Sequence, residues 1–239
     1  MNFSYDDLLH INGTEFSNGY TLNFGKNNEN QIIRRIKFLE ELIKNKSVLH
    51  LGCTDHLPLI EKKISNNTWV HKRITESAST CIGIDINKEA ISYCHHKGFT
   101  NIIYCDVFSD QLPSELENQK FDFILIGELL EHVDNPVHFL KQISVFFKGK
   151  FSEIIITGPN ALRWNNSRFN FSNKEVINSD HRFWFTPYTL AKLLARSGFT
   201  PQQYWFCMNG GINKRNFIYS WFLKYYPAFQ DTVVITAKT

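Results

Sequence analysis

Apolar positions along the chain change their period near residue 47. Over 29–45, Ile32, Ile33, Ile36, Phe38, Leu39, Leu42 and Ile43 recur at helical spacing among Lys, Arg and Glu, which predicts an amphipathic helix. Short β-rich runs then take over: SVLHLGC, CIGIDI, NIIYCD, FDFILIG, EIIITG and, near the end, TVVITA. Such runs, apolar on both faces and separated by stretches long enough for crossover helices, predict a mostly parallel sheet covered on both sides. Crossover helices are predicted over 88–97, 136–147 and 187–197, the last opening on Thr186-Pro187 and stopping before Gly198. The fold class is doubly wound α/β. No repeat, low-complexity tract or linker divides residues 1–239, so they read as a single domain.

Three stretches depart from this alternation. Residues 1–30, rich in Asn, Gly, Ser and aromatics without a period, read as an arm or lid. The connection from Gly52 to Asp85, with Trp69, His71, Lys72 and Arg73, is longer than one crossover helix requires. Over 209–229, Phe217, Tyr219, Trp221, Phe222, Tyr225 and Tyr226 interleave with Lys214, Arg215 and Lys224. That pattern reads as an aromatic insertion before the last strand, forming a core-packing helix with a solvated basic edge.

Composition narrows the class. Hydrophobic residues at 43% and charged ones at 21% exclude a disordered chain and supply a core. The formal charge of +3 is spread along the chain and leaves no dense basic stripe, so nucleic acid is disfavoured and a small polar molecule favoured as partner. Five cysteines, odd in number and without CxxC spacing, indicate neither a disulfide framework nor a cysteine zinc site. No apolar run reaches the roughly 20 residues that span a bilayer. The amino terminus is polar and acidic, so the expected location is cytoplasmic.

In an open parallel sheet, ligands bind outside the carboxyl ends of the strands. Gly52 follows the first strand and lets the backbone approach a ligand closely. Asp85 follows the second and suits two ribose hydroxyls. Asp106 and Val107 follow the third, an acceptor for an adenine amino group beside an apolar neighbour. Gly127-Glu128 follows the fourth. An Asp at a strand end also caps helices, and either Asp85 or Asn87 could cap the helix from Lys88. Capping alone does not explain acids after two successive strands and Gly-Glu after a fourth. A dinucleotide site is set aside because no GxGxxG is present.

This order of motifs, VLHLGC, GIDI, YCDV and FDFILIGELLEHV, resembles the class I S-adenosylmethionine-dependent methyltransferases. GPN followed by DHRFWFTPYTLAKLLARSGF is similar to the fifth strand, loop and next helix of the subgroup carrying an EH motif after strand four. The resemblance implies a Rossmann-like, mostly parallel seven-stranded sheet with an antiparallel last strand. It implies that Gly52 and Cys53 touch the methionine part of S-adenosylmethionine, Asp85 with Ile86 the ribose, Asp106 and Val107 the adenine, and Glu128 the cofactor. The glycine loop departs from the family, with His50 in place of an acid and Thr54 and His56 in place of glycines.

On the acceptor side, GELLEH offers Glu128, Glu131 and His132 at spacing that shares one helix face if a helix begins directly after strand four. His181 in SDHRFWF would supply a fourth group. Two carboxylates and imidazoles would hold Mg²⁺, Mn²⁺ or Zn²⁺, with the carboxylates favouring the harder ions. The set resembles the metal site of small-RNA 2′-O-methyltransferases and the EH motif of ubiquinone-pathway O-methyltransferases, which implies a hydroxyl beside another oxygen function. Without a metal, His132 or His181 is the general base. His10, His56, His71, His95, His96 and His138 read as surface or loop residues, with His138 on the helix of His132 but off its face. The layout is similar to methyltransferases of surface-glycan synthesis, and Trp164, Trp184 and Trp221 could stack on a sugar. The expected activity is O-methylation of a sugar, glycan or small polar acceptor. Alternatives are an RNA 2′-O-methyltransferase and a catalytically silent binding module.

Overall fold

A computed structural model describes residues 1–24, 32–109, 111–210 and 217–239. In chain order the first elements are α1 (Tyr5–Asn12), α2 (Arg35–Leu42), β1 (Ser47–Leu51), α3 (Leu57–Ser65), α4 (Val70–Ser77), β2 (Thr80–Asp85), α5 (Lys88–His96), β3 (Ile102–Tyr104) and α6 (Ser114–Glu117). There follow β4 (Phe121–Gly127), a 3-10 turn (Leu130–His132), α7 (Pro136–Phe146), β5 (Phe151–Pro159), α8 (Trp164–Asn170), α9 (Pro187–Arg196), β6 (Thr200–Cys207), α10 (Phe217–Tyr225) and β7 (Thr232–Lys238).

The seven strands form one sheet in the order β3-β2-β1-β4-β5-β7-β6. β1 to β5 run parallel, and β7 inserts antiparallel between β5 and β6. Alternation along each strand divides the core between the two faces. Leu49, Leu51, Ile124, Ile126, Ile154 and Ile156 pack into one cluster with α7 and α9. Val48, Leu125 and Ile155 meet Leu39, Ile43 and Ile74 on the other side.

Register places the site. Leu51 is level with Ile84 and with Ile126, and Gly127 is level with Thr157. Gly52, Asp85, Glu128 and Gly158 therefore emerge along one rim, where strand order reverses between β1 and β4.

Several expectations change. The long link after Gly52 holds two helices, α3 and α4. β6 is a seventh strand that the apolar runs do not reveal, because TPQQYWFC carries Pro201 and paired glutamines and bulges between Pro201 and Gln203 at the sheet edge. The described part of the arm is not loose. Ser4 and Asp7 cap α1 reciprocally, Lys192 Nζ donates to His10 O at 3.0 Å, and Met1 donates to Tyr204 O at 2.9 Å. His10 and His71 are buried, not surface residues. Most aromatic side chains of α10 face outward: only Leu223 is buried in that helix, so it is not a core-packing helix. Lys214, Arg215 and residues 25–31 lie outside the described residues.

Candidate active site

The loop after β1 turns at Gly52, whose φ of 63° belongs to the left-handed region and whose missing Cβ would lie 2.8 Å from Leu129 Cδ2. Thr54 then ties the loop to β2. Its backbone N–H and hydroxyl donate to Asp85 Oδ2 at 3.0 and 2.7 Å, and Asn87 N–H donates to Oδ1 at 3.0 Å. The α5 cap is Asn87, which accepts from Ala90 N–H at 3.0 Å, so Asp85 is kept for the rim. Ile86 is 67% exposed and Phe108 50% exposed, leaving two apolar side chains open beside the acids. Asp106 accepts from Phe108 N–H at 2.9 Å, and Val107 is buried below.

Cys53 differs from expectation. Its side chain is buried against the core of α3, α4 and α5, and its carbonyl accepts from Trp69 Nε1 at 3.1 Å. The thiol faces inward, away from the rim, and burial pushes its pKa well up. Beneath the loop, His50 stands where an acid is usual and lies 3.2 Å, Nδ1 to Nδ1, from His71. Burial lowers both: His71 to about 4, and His50 well below the usual value, further depressed by His71.

After β4 no α-helix begins. Glu128 takes a positive φ of 54°, which interrupts right-handed geometry, and a single 3-10 turn follows before Pro136 opens α7. The expected shared helix face is absent, and His138 sits on a different helix from His132. Glu128 turns toward α2: its Oε1 accepts from Thr157 Oγ1 at 3.2 Å and lies 3.8 Å from Arg35 Nη1. Arg35 also donates to Thr157 Oγ1 at 3.3 Å, while its buried Nε has no partner. Periodicity placed Arg35 on the predicted amphipathic helix, but nothing in its spacing marks it as a site residue.

Glu131, His132 and His181 do converge. One ligand atom from each lies within 4.8 Å of the others. The segment before α9 clamps the turn: Arg182 N–H donates to Glu131 O at 2.8 Å, and the Arg182 guanidinium donates to His132 O. His132 Nδ1 lies 3.2 Å from Asp180 O; a carbonyl only accepts, so Nδ1 carries a proton and Nε2 is the ring nitrogen left to face a ligand. Glu131 is fully buried, its Oε1 is 3.9 Å from His181 Nε2, and neither carboxyl oxygen has a hydrogen-bond partner among the described residues. Burial, then the Glu128 carboxylate, push Glu131 up to about 8. His181 is lowered by burial and then by His132, and its buried Nδ1 also lacks a partner. A buried carboxyl group beside two imidazoles fits a divalent cation, which would take the place of the proton that burial favours and satisfy all three groups.

His56 reaches the same region from the first loop, its Nε2 3.7 Å from Asp180 Oδ2 and its ring 6.4 Å from that of His132. Of the tryptophans, Trp184 has the Arg163 guanidinium 4.4 Å over its ring and Trp164 packs on Phe222 at 5.1 Å, so both are engaged.

A family model described as a methyltransferase domain matches residues 24–204. No curated protein matches the sequence. Among solved structures, the fold is similar to magnesium protoporphyrin IX methyltransferase from Synechocystis PCC 6803 with bound SAH, at 11% identity, TM-score 0.52 and coverage of 98% of this chain and 93% of that one. It is similar to small RNA methyltransferase HEN1, at 14% identity and TM-score 0.51, covering 94% of this chain but spanning only 27% of that one. It is also similar to a SAM dependent methyltransferase from Aquifex aeolicus, at 14% identity and TM-score 0.50, covering 84% of this chain and 87% of that one. With the sheet order, the rim acids and the matched length together, the chain belongs to the methyltransferase domain family and has the fold of the S-adenosylmethionine-dependent methyltransferases.

Proposed function

We propose that the protein transfers the methyl group of S-adenosylmethionine to a hydroxyl of a sugar, glycan or similar small polar acceptor, with Mg²⁺ or Mn²⁺ held by Glu131, His132 and His181. The observation that carries this reading is the fully buried Glu131 carboxyl group, without a hydrogen-bond partner among the described residues, beside two imidazoles. In the transfer the S–CH₃ bond breaks, sulfur keeps its electron pair, an O–CH₃ bond forms and the hydroxyl proton passes to solvent water. A bound divalent cation supplies acidification and orientation of that hydroxyl.

The chain's own residues set the geometry. Asp85 meets the ribose at a loop already fastened by Thr54, with Ile86 and Phe108 flanking the adenine beside Asp106 and Val107. Gly52 leaves room for the methionine moiety. Glu128 contributes to the cofactor side with Arg35 behind it, and is not a member of the cation group. The acceptor enters from the His56–Asp180 side. All five cysteines are free and buried, which suits a reducing cytoplasm.

A second reading places the acceptor hydroxyl on RNA, favoured by the fold shared with HEN1. The test is calorimetric titration of metal-stripped protein with S-adenosylhomocysteine and, separately, Mn²⁺, for wild type and Glu131→Gln. Saturable S-adenosylhomocysteine binding in both proteins, with Mn²⁺ binding lost in the variant, is the expected result; equal Mn²⁺ binding by both overturns the cation site. RNA binding that falls steeply with salt replaces the glycan acceptor by RNA.

A further inference from the structure

We infer that α10 is a docking face for an anionic lipid bilayer. At 100° per residue, Phe217, Ile218, Trp221 and Tyr225 fall within roughly a 100° arc of the helix. All four face outward, at 73%, 66%, 57% and 47% exposure. The opposite side is the one that packs: Leu223 is fully buried and Phe222 lies 5.1 Å from Trp164 and 5.0 Å from Phe229, ring to ring. An ordinary surface helix reverses this arrangement, with the apolar stripe inward.

Charge identifies the occupant. The described helix, Phe217–Tyr225, carries Lys224 and no acidic residue. Lys224 is exposed along the edge of the apolar stripe. The next acid, Asp231, is mostly buried and faces Asn209 N–H. A second copy seated on this face would set like charges against each other, whereas an anionic bilayer neutralises them and takes up the apolar side chains. Phe217 and Ile218 suit hydrocarbon, and Trp221 and Tyr225, with rings 4.7 Å apart, suit the headgroup boundary. Nine residues make a helix about 13 Å long, too short to cross a bilayer and suited to lying in its surface plane.

Beneath this face, the packed side of α10 borders the acceptor side. Phe222 packs on Trp164, the adjacent Arg163 covers Trp184, and Trp184 lies 6.2 Å from His181. A hydroxyl borne on a membrane-anchored molecule would thus be presented beside Glu131, His132 and His181; that corollary rests on the reading proposed above, and the docking itself does not.

The test is co-sedimentation with phosphatidylcholine vesicles, with and without phosphatidylglycerol, at low salt. Wild type is expected to pellet with the anionic vesicles and remain in solution with the neutral ones. Ile218→Ser/Trp221→Ser is expected to lose this binding by about tenfold or more, and Lys224→Ala by about fivefold, a loss that vanishes in high salt. Both variants alter exposed side chains, so thermal melting and S-adenosylhomocysteine affinity should match wild type, which also separates failure here from failure of the catalytic reading. No sedimentation, or sedimentation unchanged in the double variant, overturns the inference. So does self-association or oligouridine binding that the double variant abolishes while vesicles remain unbound.

Discussion

At the cofactor end of the rim, Asp85 receives Thr54 and Asn87 donors and Asp106 receives Phe108 N–H. At the end proposed for the acceptor, the fully buried Glu131 carboxyl group receives none from the described residues, and His181 Nδ1 has no partner among them. Both ends are polar loops above the same sheet, yet one is satisfied by its own chain and the other is held open. An unsatisfied buried polar group costs about 1–3 kcal/mol, more when charged, so the acceptor end retains a cost that a bound ligand relieves. The cofactor end is preorganised around hydrogen bonds that exist before binding. The difference separates groups that shape a pocket from groups that wait for an occupant.

Glu131→Gln strikes the open end and should have the largest effect. Losing cation-supported polarisation should lower turnover by about 10³-fold, while S-adenosylhomocysteine affinity stays that of wild type. Isothermal titration and a methyl-transfer assay on one preparation check both halves. Parallel loss of cofactor binding would merge the two ends into one unit.

Next comes acid sensitivity beneath the cofactor loop. His71 is held at about 4 by burial, against 6.5 in the unfolded chain. The folded state therefore binds fewer protons between those values, so stability intact at neutral pH is lost as pH falls from 6.5 toward 4. For His71 alone the loss is on the order of 3 kcal/mol, and His50 adds in the same direction. Urea unfolding at neutral pH and near pH 4.5 should show it, with a shallower pH dependence in His71→Phe. Parallel curves for the two proteins would mean that protonation is tolerated there.

Asp85→Ala should weaken S-adenosylhomocysteine by about 100-fold, since it removes charge-assisted contacts to ribose and the anchor of Thr54. Thr54→Val isolates the anchor and should cost about tenfold. Equal losses would assign the whole effect of Asp85 to loop geometry.

The parts legible in the sequence are those set by periodicity and strand ends. Runs such as FDFILIG reveal buried parallel strands because both faces are apolar, and their register delivers Gly52, Asp85 and Glu128 to one rim. Glu131, His132 and His181 also meet as expected, although the reason differs. A helix face was anticipated, whereas a left-handed Glu128 and a 3-10 turn bring them together with Arg182 as clamp. No single-residue pattern announces a positive φ at a glutamate, so the turn of Glu128 toward Arg35 and Thr157 is not legible in the sequence. β6 stays hidden because Pro201, Gln202 and Gln203 interrupt its pattern although Tyr204 and Phe206 are buried, and α1 because its Ser4–Asp7 cap lies in an otherwise aperiodic arm. The buried His50–His71 pair was unreadable for another reason: residues on different elements become neighbours only through the sheet and α4.

Arg35 tests where the boundary between the two ends runs. It enters from the first turn of α2, is 12% exposed at its side chain, and reaches both Thr157 and Glu128. Arg35→Lys keeps the charge but replaces a planar fork by a single ammonium, so Thr157 and Glu128 can no longer be held together. If Glu128 serves the cofactor, S-adenosylhomocysteine should bind about tenfold more weakly with Mn²⁺ affinity unchanged. If Mn²⁺ affinity falls and cofactor affinity holds, Glu128 joins Glu131, His132 and His181 when the cation arrives, and its contact with Arg35 is the resting arrangement of a fourth ligand. Thr157→Val should reproduce the weaker cofactor binding on a smaller scale, because it removes one hydrogen bond while leaving the guanidinium beside Glu128.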